Sequence, residues 1–315
     1  TKSEVSITFI QEPNPTMIPE RDTVCGSNHV LNVINVQGEG MWTAFYDGIS
    51  FTPNYTNGNT SPNTHVTIGN YTGHEREVEF VWTETIQHAG ISCTSEVSQS
   101  VMFGKMPMAS VGPLDMTETC GMCIELEADT IGSGWATGTW INNNLQHEFV
   151  QGTPNSPDVE ICLTSLGAFG DSAMVTAPFI WIMKNHACTS IDTMWVDFYK
   201  RPNAFAGLDD AVCGRDYFLD ANFSIPETNS YSPVGRWLTP ILPTPVASAD
   251  IENINQAQTN VSVTHFGNYG FIFREENENA SYCFDLDTVN IVFIEVPVVD
   301  AGEDRDVCGQ CVELD

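Results

Sequence analysis

The stretch Thr23-Val24-Cys25-Gly26 decides the fold, because its Cys-Gly pair returns at a regular interval. Cys120-Gly121, Cys213-Gly214 and Cys308-Gly309 follow at steps of 95, 93 and 95 residues in the 315-residue sequence. Each of the first three pairs is followed, 68 to 70 residues downstream, by one further cysteine, which we call the answering cysteine: Cys93, Cys188 and Cys283. Self-similarity at a fixed period marks an internal repeat, in which each period is one structural unit. The sequence therefore predicts three repeats.

Each repeat has the size and the strand pattern of one β-sandwich. In the first repeat, Val30, Asn32, Ile34 and Val36 alternate with the residues between them, which indicates a half-buried strand. A closing strand with one apolar face ends each repeat, formed by Val97, Val101 and Phe103, by Met194, Val196 and Phe198, and by Val289, Ile291 and Phe293. No segment shows the 3.6-residue apolar stripe of a helix. We therefore expect an all-β chain of tandem immunoglobulin-like sandwiches.

The repeats are placed at residues 11–105, 106–200 and 201–297. Residues 1–10 match the last strand of a preceding repeat, because Phe9 lies 94 residues before Phe103. Residues 298–315 carry the fourth Cys-Gly pair and are expected to form the first strand of a following repeat. The chain is thus expected to be a window of a longer array. Short junctions with proline, such as Lys105-Met106-Pro107, favour an elongated rod.

The charge balance excludes one large class of function. The chain has 41 acidic and 11 basic residues, which gives a formal net charge of −30. Nucleic acids are bound mainly by Lys and Arg that neutralise phosphates, so this surface repels them. Nucleic-acid binding is therefore excluded.

The evenly spaced cysteines indicate disulfides formed in an oxidising compartment. The constant spacing within each repeat predicts the bonds Cys25–Cys93, Cys120–Cys188 and Cys213–Cys283. Buried free thiols are the alternative, since free cysteine behaves as a small apolar residue. Free thiols would have no reason to keep the same spacing in three repeats.

Cys120-x-x-Cys123 and Cys308-x-x-Cys311 also resemble zinc or redox motifs. Zinc of the ribbon type needs a second pair nearby, and a thioredoxin-like site needs a βαβ unit. Neither is present in the sequence of the repeat. The simpler interpretation is a bond between Cys123 and Cys162, which is the other cysteine special to the second repeat.

Tryptophan recurs at one place in each repeat, at Trp42, Trp140 and Trp237, with Trp82 and Trp181 further along. A tryptophan held at one place in a sandwich is usually part of the core, and a sugar-stacking platform is the alternative. Trp195 points to the opposite face from its neighbours and is expected to be exposed or packed on another repeat.

Acidic clusters such as Asp209-Asp210, Asp285-Leu286-Asp287 and residues 300–306 could hold calcium, which prefers several oxygen ligands. These acids do not recur in register, so solvated acidic faces are favoured and no cofactor is expected. The sequence contains no recognisable nucleophile motif, His-Glu-x-x-His motif or phosphate-binding loop. We therefore do not expect an enzyme.

The pattern Asp, then Ser or Thr, then an apolar residue occurs more often than composition predicts. Its hydroxyl residues are Thr23, Thr130, Ser172, Thr193 and Thr288. Thr193 and Thr288 hold the same outward position on two closing strands, as covalent glycosylation requires. We treat the five as candidate O-glycosylation sites.

The framework motifs resemble one family. The run from Asp300-Ala301-Gly302 to Cys308-Gly309, the run Gly267-Asn268-Tyr269-Gly270-Phe271-Ile272-Phe273 and the strand at Asp287-Thr288-Val289 are similar to PKD-like, immunoglobulin-like repeats of giant cell-surface proteins of Bacteroidetes. The nearest members are adhesins of the SprB gliding-motility type. The first repeat departs from this pattern, since residues 12–21 lack Asp-Ala-Gly-x-Asp.

The resemblance implies a PKD-like stalk segment of a surface adhesin that is exported by type IX secretion and associated with the outer membrane. Its expected partners are neighbouring repeats of the same chain, an extracellular surface or polysaccharide, and the gliding and secretion machinery. The Asp-Ser/Thr pattern is similar to the O-glycosylation motif of that phylum. Two alternatives remain: a carbohydrate-binding module that acts through loops such as residues 225–249, and a spacer in a large secreted hydrolase.

Overall fold

The fold is taken from a computed structural model of the chain. It describes every residue except 1, 70, 72, 113–115, 130–134, 143–145, 166–168, 170–171, 226, 228–231, 305, 307 and 310–315. The described residues form strands and no α-helix. The strands assemble into six sheets.

The first repeat folds into two of these sheets. Its strands are β1 (Arg21–Cys25), β2 (Asn28–Asn32), β3 (Glu39–Tyr46), β4 (Ile49–Phe51), β5 (Asn54–Tyr55), β6 (Asn63–Thr67), β7 (Glu75–His88) and β8 (Ile91–Gly104). One sheet has the order β1-β8-β7-β3-β4 and the other has the order β2-β6-β5. Strands β7 and β8 form a long antiparallel hairpin, and β1 pairs with β8 in parallel.

The second and third repeats keep this plan. The second has β9 (Met116–Cys120), β10 (Cys123–Leu126), β11 (Thr137–Ile141), β12 (His147–Gln151), β13 (Val159–Leu163), β14 (Met174–Asn185) and β15 (Cys188–Tyr199). The third has β16 (Asp210–Cys213), β17 (Asp216–Asp220), β18 (Val234–Trp237), β19 (Ala249–Ile251), β20 (Gln258–Val263), β21 (Gly267–Asn277) and β22 (Ala280–Ile294). Their sheet orders are β11-β14-β15-β9 with β10-β13-β12, and β16-β22-β21-β18 with β17-β20-β19. Three pairs of sheets confirm the prediction of tandem immunoglobulin-like β-sandwiches.

Packing divides the chain into two compact units that do not coincide with the repeats. Unit 1 comprises Thr1–Thr117, Ile124–Thr164 and Ala177–Val196. Unit 2 comprises Glu118–Cys123, Ser165–Thr176 and Asp197–Asp315. The hairpin tip of the second repeat thus belongs to the same unit as the first repeat. The predicted repeat boundaries stay predictions.

The core of each repeat contains two aromatic rings on neighbouring strands. The ring centroids of Trp42 and Trp82 lie 5.2 Å apart, and the second repeat has the same pair in Trp140 and Trp181. In the third repeat Trp237 packs on Phe273 at 5.1 Å. All six side chains are buried, so the assignment of these tryptophans to the core is confirmed. The closing strands also bury the predicted faces.

The face of the first alternating strand was predicted wrongly. Leu31 and Val33 are buried in the core, whereas Val30 and Ile34 are each 47% exposed. The run from Val30 to Ile34 is apolar at both parities, so alternation alone could not choose the inward face. Leu31 and Val33 belong to the same buried core cluster as Trp42, so packing in this core determines which face of the strand points inward.

The described parts of the two terminal segments contain no strand, and the predicted terminal strands stay predictions. Residues 2–10 have no strand, and Val5 and Phe9 are 85% and 91% exposed. Residues 298–304 also have none, and most of residues 305–315 lie outside the described residues. A strand needs a hydrogen-bonded neighbour, and no described strand pairs with either segment.

Candidate functional site: the junctions between repeats

The disulfides join successive repeats. Cys25 is bonded to Cys188, with 4.9 Å between their Cα atoms, and Cys120 is bonded to Cys283, with 5.1 Å. Both bonds have a sequence separation of 163 residues. Each therefore links the Cys-Gly pair of one repeat to the answering cysteine of the next repeat. The predicted bonds Cys25–Cys93, Cys120–Cys188 and Cys213–Cys283 are wrong.

Strand geometry explains why the bonds within a repeat fail. Cys25 pairs with Gly104 at one end of β8, whereas Cys93 lies near its other end, opposite Ile86. Eleven residues of extended strand separate Cys93 from Gly104, which is roughly 36 Å at about 3.3 Å per residue. A disulfide needs Cα atoms within about 7 Å. In the third repeat Cys213 pairs with Ile294, at the far end of β22 from Cys283.

The remaining cysteines divide into bonded and free residues. Cys123 and Cys162 are each disulfide-bonded, as their predicted pairing requires. Cys120 and Cys123 therefore offer no thiolate, which is the form that zinc binds. Cys93, Cys213 and Cys308 are free, which corrects the prediction for the first two. Cys311 lies outside the described residues.

A buried asparagine accompanies the disulfide in unit 1. The side-chain nitrogen of Asn185, at the end of β14, donates hydrogen bonds to the backbone oxygens of His74 (3.0 Å) and Lys105 (2.8 Å). Asn185 is 3% exposed, so these bonds are shielded from water. The next residue, His186, contacts the Glu75 carboxylate. The hairpin tip of the second repeat is thereby fixed on the end of the first.

Unit 2 repeats this arrangement. The side-chain nitrogen of Asn277 donates to the backbone oxygens of Ala173 (2.9 Å) and Lys200 (3.0 Å), and Asn277 is fully buried. Tyr199, Ala280 and Cys283 form a small buried cluster beside it. The sequence analysis missed both asparagines. Their signal was present, since each stands four residues after the core aromatic of its strand, Trp181 or Phe273.

We expect Asn277→Ala to destabilise unit 2. The change removes the two hydrogen bonds that Asn277 donates to the backbone oxygens of Ala173 and Lys200, and each lost bond costs on the order of 1 kcal/mol. Asn268→Ala is the matched control, because Asn268 lies on the exposed face of the same strand. Urea unfolding should show a loss of about 2 kcal/mol for Asn277→Ala and little for the control. Equal losses in the two variants would contradict the role assigned to Asn277.

Two tyrosines in unit 2 are held in the neutral form next to the Cys120–Cys283 bond. Burial, the Glu118 carboxylate and Tyr199 raise the pKa of Tyr282 to about 12. Burial and Glu118 also raise the pKa of Tyr199, whose hydroxyl donates to Glu118 at 3.3 Å. The two rings meet edge to face, with their centroids 6.2 Å apart.

This cluster predicts a loss of stability in alkali. A folded-state pKa above the unfolded value, near 10, gives a contribution that is complete below about pH 10 and lost as the pH rises through 12. The slope of unfolding free energy against pH should therefore be steeper over this window for the native protein than for Tyr282→Phe. Phenolate absorbance of the folded protein should show that Tyr282 loses its proton at a pH near 12, above the usual value near 10. Titration near pH 10 with identical slopes would contradict the assignment.

The candidate glycosylation sites differ in exposure. Thr23 and Ser172 are exposed, Thr193 and Thr288 are half-buried, and Thr130 lies outside the described residues. In the patterns on the two closing strands the acid accepts a hydrogen bond from a backbone group of another segment. The carboxylate of Asp192 accepts a hydrogen bond from Val111 N at 2.9 Å, and Asp287 accepts one from Ala206 N at 2.8 Å. Glycosylation stays a prediction.

Acids from the proposed calcium clusters also bind backbone groups. Asp209 accepts a hydrogen bond from Asn290 N at 2.7 Å, and Asp285 accepts one from Ala204 N at 3.0 Å. These carboxylates hold the segment that enters the third repeat against β22. Among the described residues, the acidic clusters do not bring carboxylates together in a group with metal-ligand spacing.

The core tryptophans offer little surface for a sugar. Trp42, Trp82, Trp140, Trp181 and Trp237 are at most 2% exposed, whereas Trp195 is 45% exposed. A sugar-stacking platform needs an open ring face, so the core tryptophans cannot form one.

No described residue belongs to a helix long and apolar enough to span a membrane. No protein-family profile matches the chain, and no curated protein matches it.

Among solved structures, an I-band fragment of titin is 11% identical, with a TM-score of 0.43, and the match covers 90% of this chain and 99% of the fragment. Extracellular domains 3–5 of Drosophila OTK are 7% identical, with a TM-score of 0.35 and coverage of 92% and 100%. Immunoglobulin domains 1–5 of Sidekick-1 are 12% identical, with a TM-score of 0.34 and coverage of 90% and 59%. These proteins are likewise tandem arrays of domains.

Proposed function

We propose that the chain is a non-enzymatic stalk segment of a large cell-surface adhesin, of the gliding-motility type. The observation that carries this proposal is the pair of disulfides between successive repeats. Tandem immunoglobulin-like repeats that are joined by disulfides fit a stalk or an adhesion segment. Bonds across a junction keep neighbouring repeats together when the chain is pulled.

Charge and redox chemistry support a location outside the cell. Disulfides persist in oxidising compartments and are rare in the cytosol. A net charge of −30 keeps such a segment soluble and prevents it from adhering to anionic surfaces. We extend the proposal to export by type IX secretion, association with the outer membrane and O-glycosylation. These finer points rest on the resemblance of the sequence motifs.

Surface labelling of the source cells tests the proposal. Antibodies raised against residues 11–297 should label intact cells, and bivalent antibodies should impair attachment and gliding. Antibodies against a cytosolic protein are the control for leakage. Labelling that appears only after lysis would contradict a surface location. Labelling of intact cells with unchanged attachment and gliding would contradict the adhesin function.

The proposed lack of direct sugar binding has its own test. A glycan array with the purified chain should stay silent, because the adhesive region lies elsewhere in the proposed protein. Saturable binding that is lost in Trp195→Ala would favour the carbohydrate-binding module instead.

A further inference from the structure

We propose that Cys93 and Cys213 are the two open ends of a continuous series of disulfides between repeats. Each would be a covalent docking site for a flanking repeat of the same kind in the same polypeptide. Cys213 would bond the hairpin cysteine of a fourth repeat that begins around Cys308-Gly309. Cys93 would bond the Cys-Gly cysteine of a repeat on its amino-terminal side. This inference goes beyond the proposed function and does not depend on it.

The Cys-Gly end of the third repeat has the geometry of the two bonded ends. Gly26 N donates to Gly104 O at 2.9 Å, Gly121 N donates to Tyr199 O at 2.8 Å, and Gly214 N donates to Ile294 O at 2.9 Å. The three cysteines therefore stand at the same point of the same strand pair. Two of them are bonded to the next repeat, and Cys213 is free and exposed.

The surface next to Cys213 is uncovered where the equivalent surfaces are covered. Gly104 and Tyr199, which accept the Gly hydrogen bond in the first two repeats, are buried. Ile294 holds this position in the third repeat and is 47% exposed. An apolar surface that is buried at two junctions and exposed at a third fits the same kind of partner. The backbone oxygen of Glu295 is equivalent to those of Lys105 and Lys200, which accept from the junction asparagines.

The hairpin of the first repeat shows the complementary end. Cys93 lies across the hairpin from Ile86, four residues after Trp82, and Asn185 and Asn277 hold that same position in the later repeats. Cys188 and Cys283 are fully buried at their junctions, whereas Cys93 is only half-buried. Ile91 at the tip of this hairpin is 59% exposed. Because Ile86 replaces the asparagine, docking there would depend on the disulfide and on apolar contact.

Each new bond is an ordinary thiol oxidation. Two thiols lose two protons and two electrons to form one S–S bond, and a disulfide oxidant such as oxidised glutathione or an oxidoreductase is reduced to two thiols. Cys93 and Cys213 are free thiols in the structure, so both are available for this reaction.

Peptide mapping of the full-length protein from its own cells tests the proposal. Thiols are alkylated during lysis, and the protein is digested without reduction. We expect no alkylated Cys93 or Cys213, a Cys213 peptide linked to a hairpin cysteine beyond residue 315, and a Cys93 peptide linked to a further Cys-Gly peptide. Alkylated Cys93 and Cys213 in protein that retains the Cys25–Cys188 bond would overturn the proposal. A Cys93–Cys213 bond would overturn it too, because the partner would then be a second copy.

The variant Cys213→Ser gives an independent measurement. In the full-length protein it should expose one hairpin cysteine of the fourth repeat to alkylation and leave Cys25–Cys188 and Cys120–Cys283 intact. If no new thiol appears, the bond at Cys213 does not exist. Loss of surface labelling with the bonds intact would count against the adhesin function alone, so the two failures are distinguishable.

Discussion

Pulled from its two ends, the oxidised chain is expected to release far less length than the reduced chain. With both disulfides intact, tension crosses from Cys25 to Cys188, runs back along the chain to Cys120 and crosses to Cys283. At most about 68 residues lie on this path, which is roughly 240 Å at about 3.5 Å per residue, and the predicted Cys123–Cys162 bond would shorten it to about 29 residues, roughly 100 Å. After reduction all of the roughly 258 residues between Cys25 and Cys283 can extend, to about 900 Å. Single-molecule force spectroscopy with and without reductant measures the difference.

One substitution separates this result from bonds within each repeat. Cys93 is free in the structure, so Cys93→Ser should leave the released length of the oxidised chain unchanged. If Cys25 were bonded to Cys93, the same substitution would free the first repeat and lengthen the path by roughly 68 residues, about 240 Å. Cys25→Ser should lengthen the path in either case and serves as the positive control. Lengthening by Cys93→Ser would therefore contradict the bonds between repeats.

Gly40→Ala is expected to destabilise the first repeat strongly. Gly40 stands two residues before Trp42, and a Cβ atom built on it lies 1.9 Å from Cζ2 of Trp82. The indole of Trp82 cannot retreat, because it is fully buried against Trp42. Overpacking of this kind costs about 1–3 kcal/mol. Denaturant unfolding should show that loss, with little change in the slope of free energy against denaturant concentration.

Gly69→Ala is the matched control in the same repeat. A Cβ atom at Gly69 meets no heavy atom within 4 Å. We expect its unfolding free energy to stay within about 0.5 kcal/mol of the native value. Gly138 repeats the contact of Gly40, since its Cβ would lie 1.9 Å from Cζ2 of Trp181. Equal stabilities of Gly40→Ala and Gly69→Ala would show that the aromatic pair tolerates the extra atom.

The sequence predicted the sandwiches because strand alternation and the recurring tryptophans act within one repeat. Phe103, Phe198 and Phe293 were assigned to the core from their strand faces, and all three are buried. The glycine two residues before each tryptophan also recurs, at Gly40, Gly138 and Gly235. The sequence does not show why glycine is needed there. The structure does, because an aromatic ring of the neighbouring strand occupies the space that a Cβ atom would need.

The cysteine pairing could not be decided by spacing alone. In a strict repeat, the spacing is equally regular for a bond within one repeat, 68 residues apart, and for a bond to the next repeat, 163 residues apart. The spacing therefore does not distinguish the two pairings. The choice depends on which end of β8 faces Cys25, and that is a property of the sheet. The junction asparagines were missed for a related reason, because Asn185 binds carbonyl groups of the preceding repeat.

Non-reducing peptide mapping of residues 1–315 tests the central claim most directly. After thiols are blocked, trypsin separates the relevant cysteines, because it cuts after Arg21, Arg76, Lys105, Lys184 and Lys200. The structure predicts that the Cys25 peptide is linked to the Cys188 peptide, that the Cys120 peptide is linked to the Cys283 peptide, and that the Cys93 peptide carries a blocked thiol. A Cys25 peptide linked to the Cys93 peptide would contradict the account, since the disulfides would then close each repeat separately.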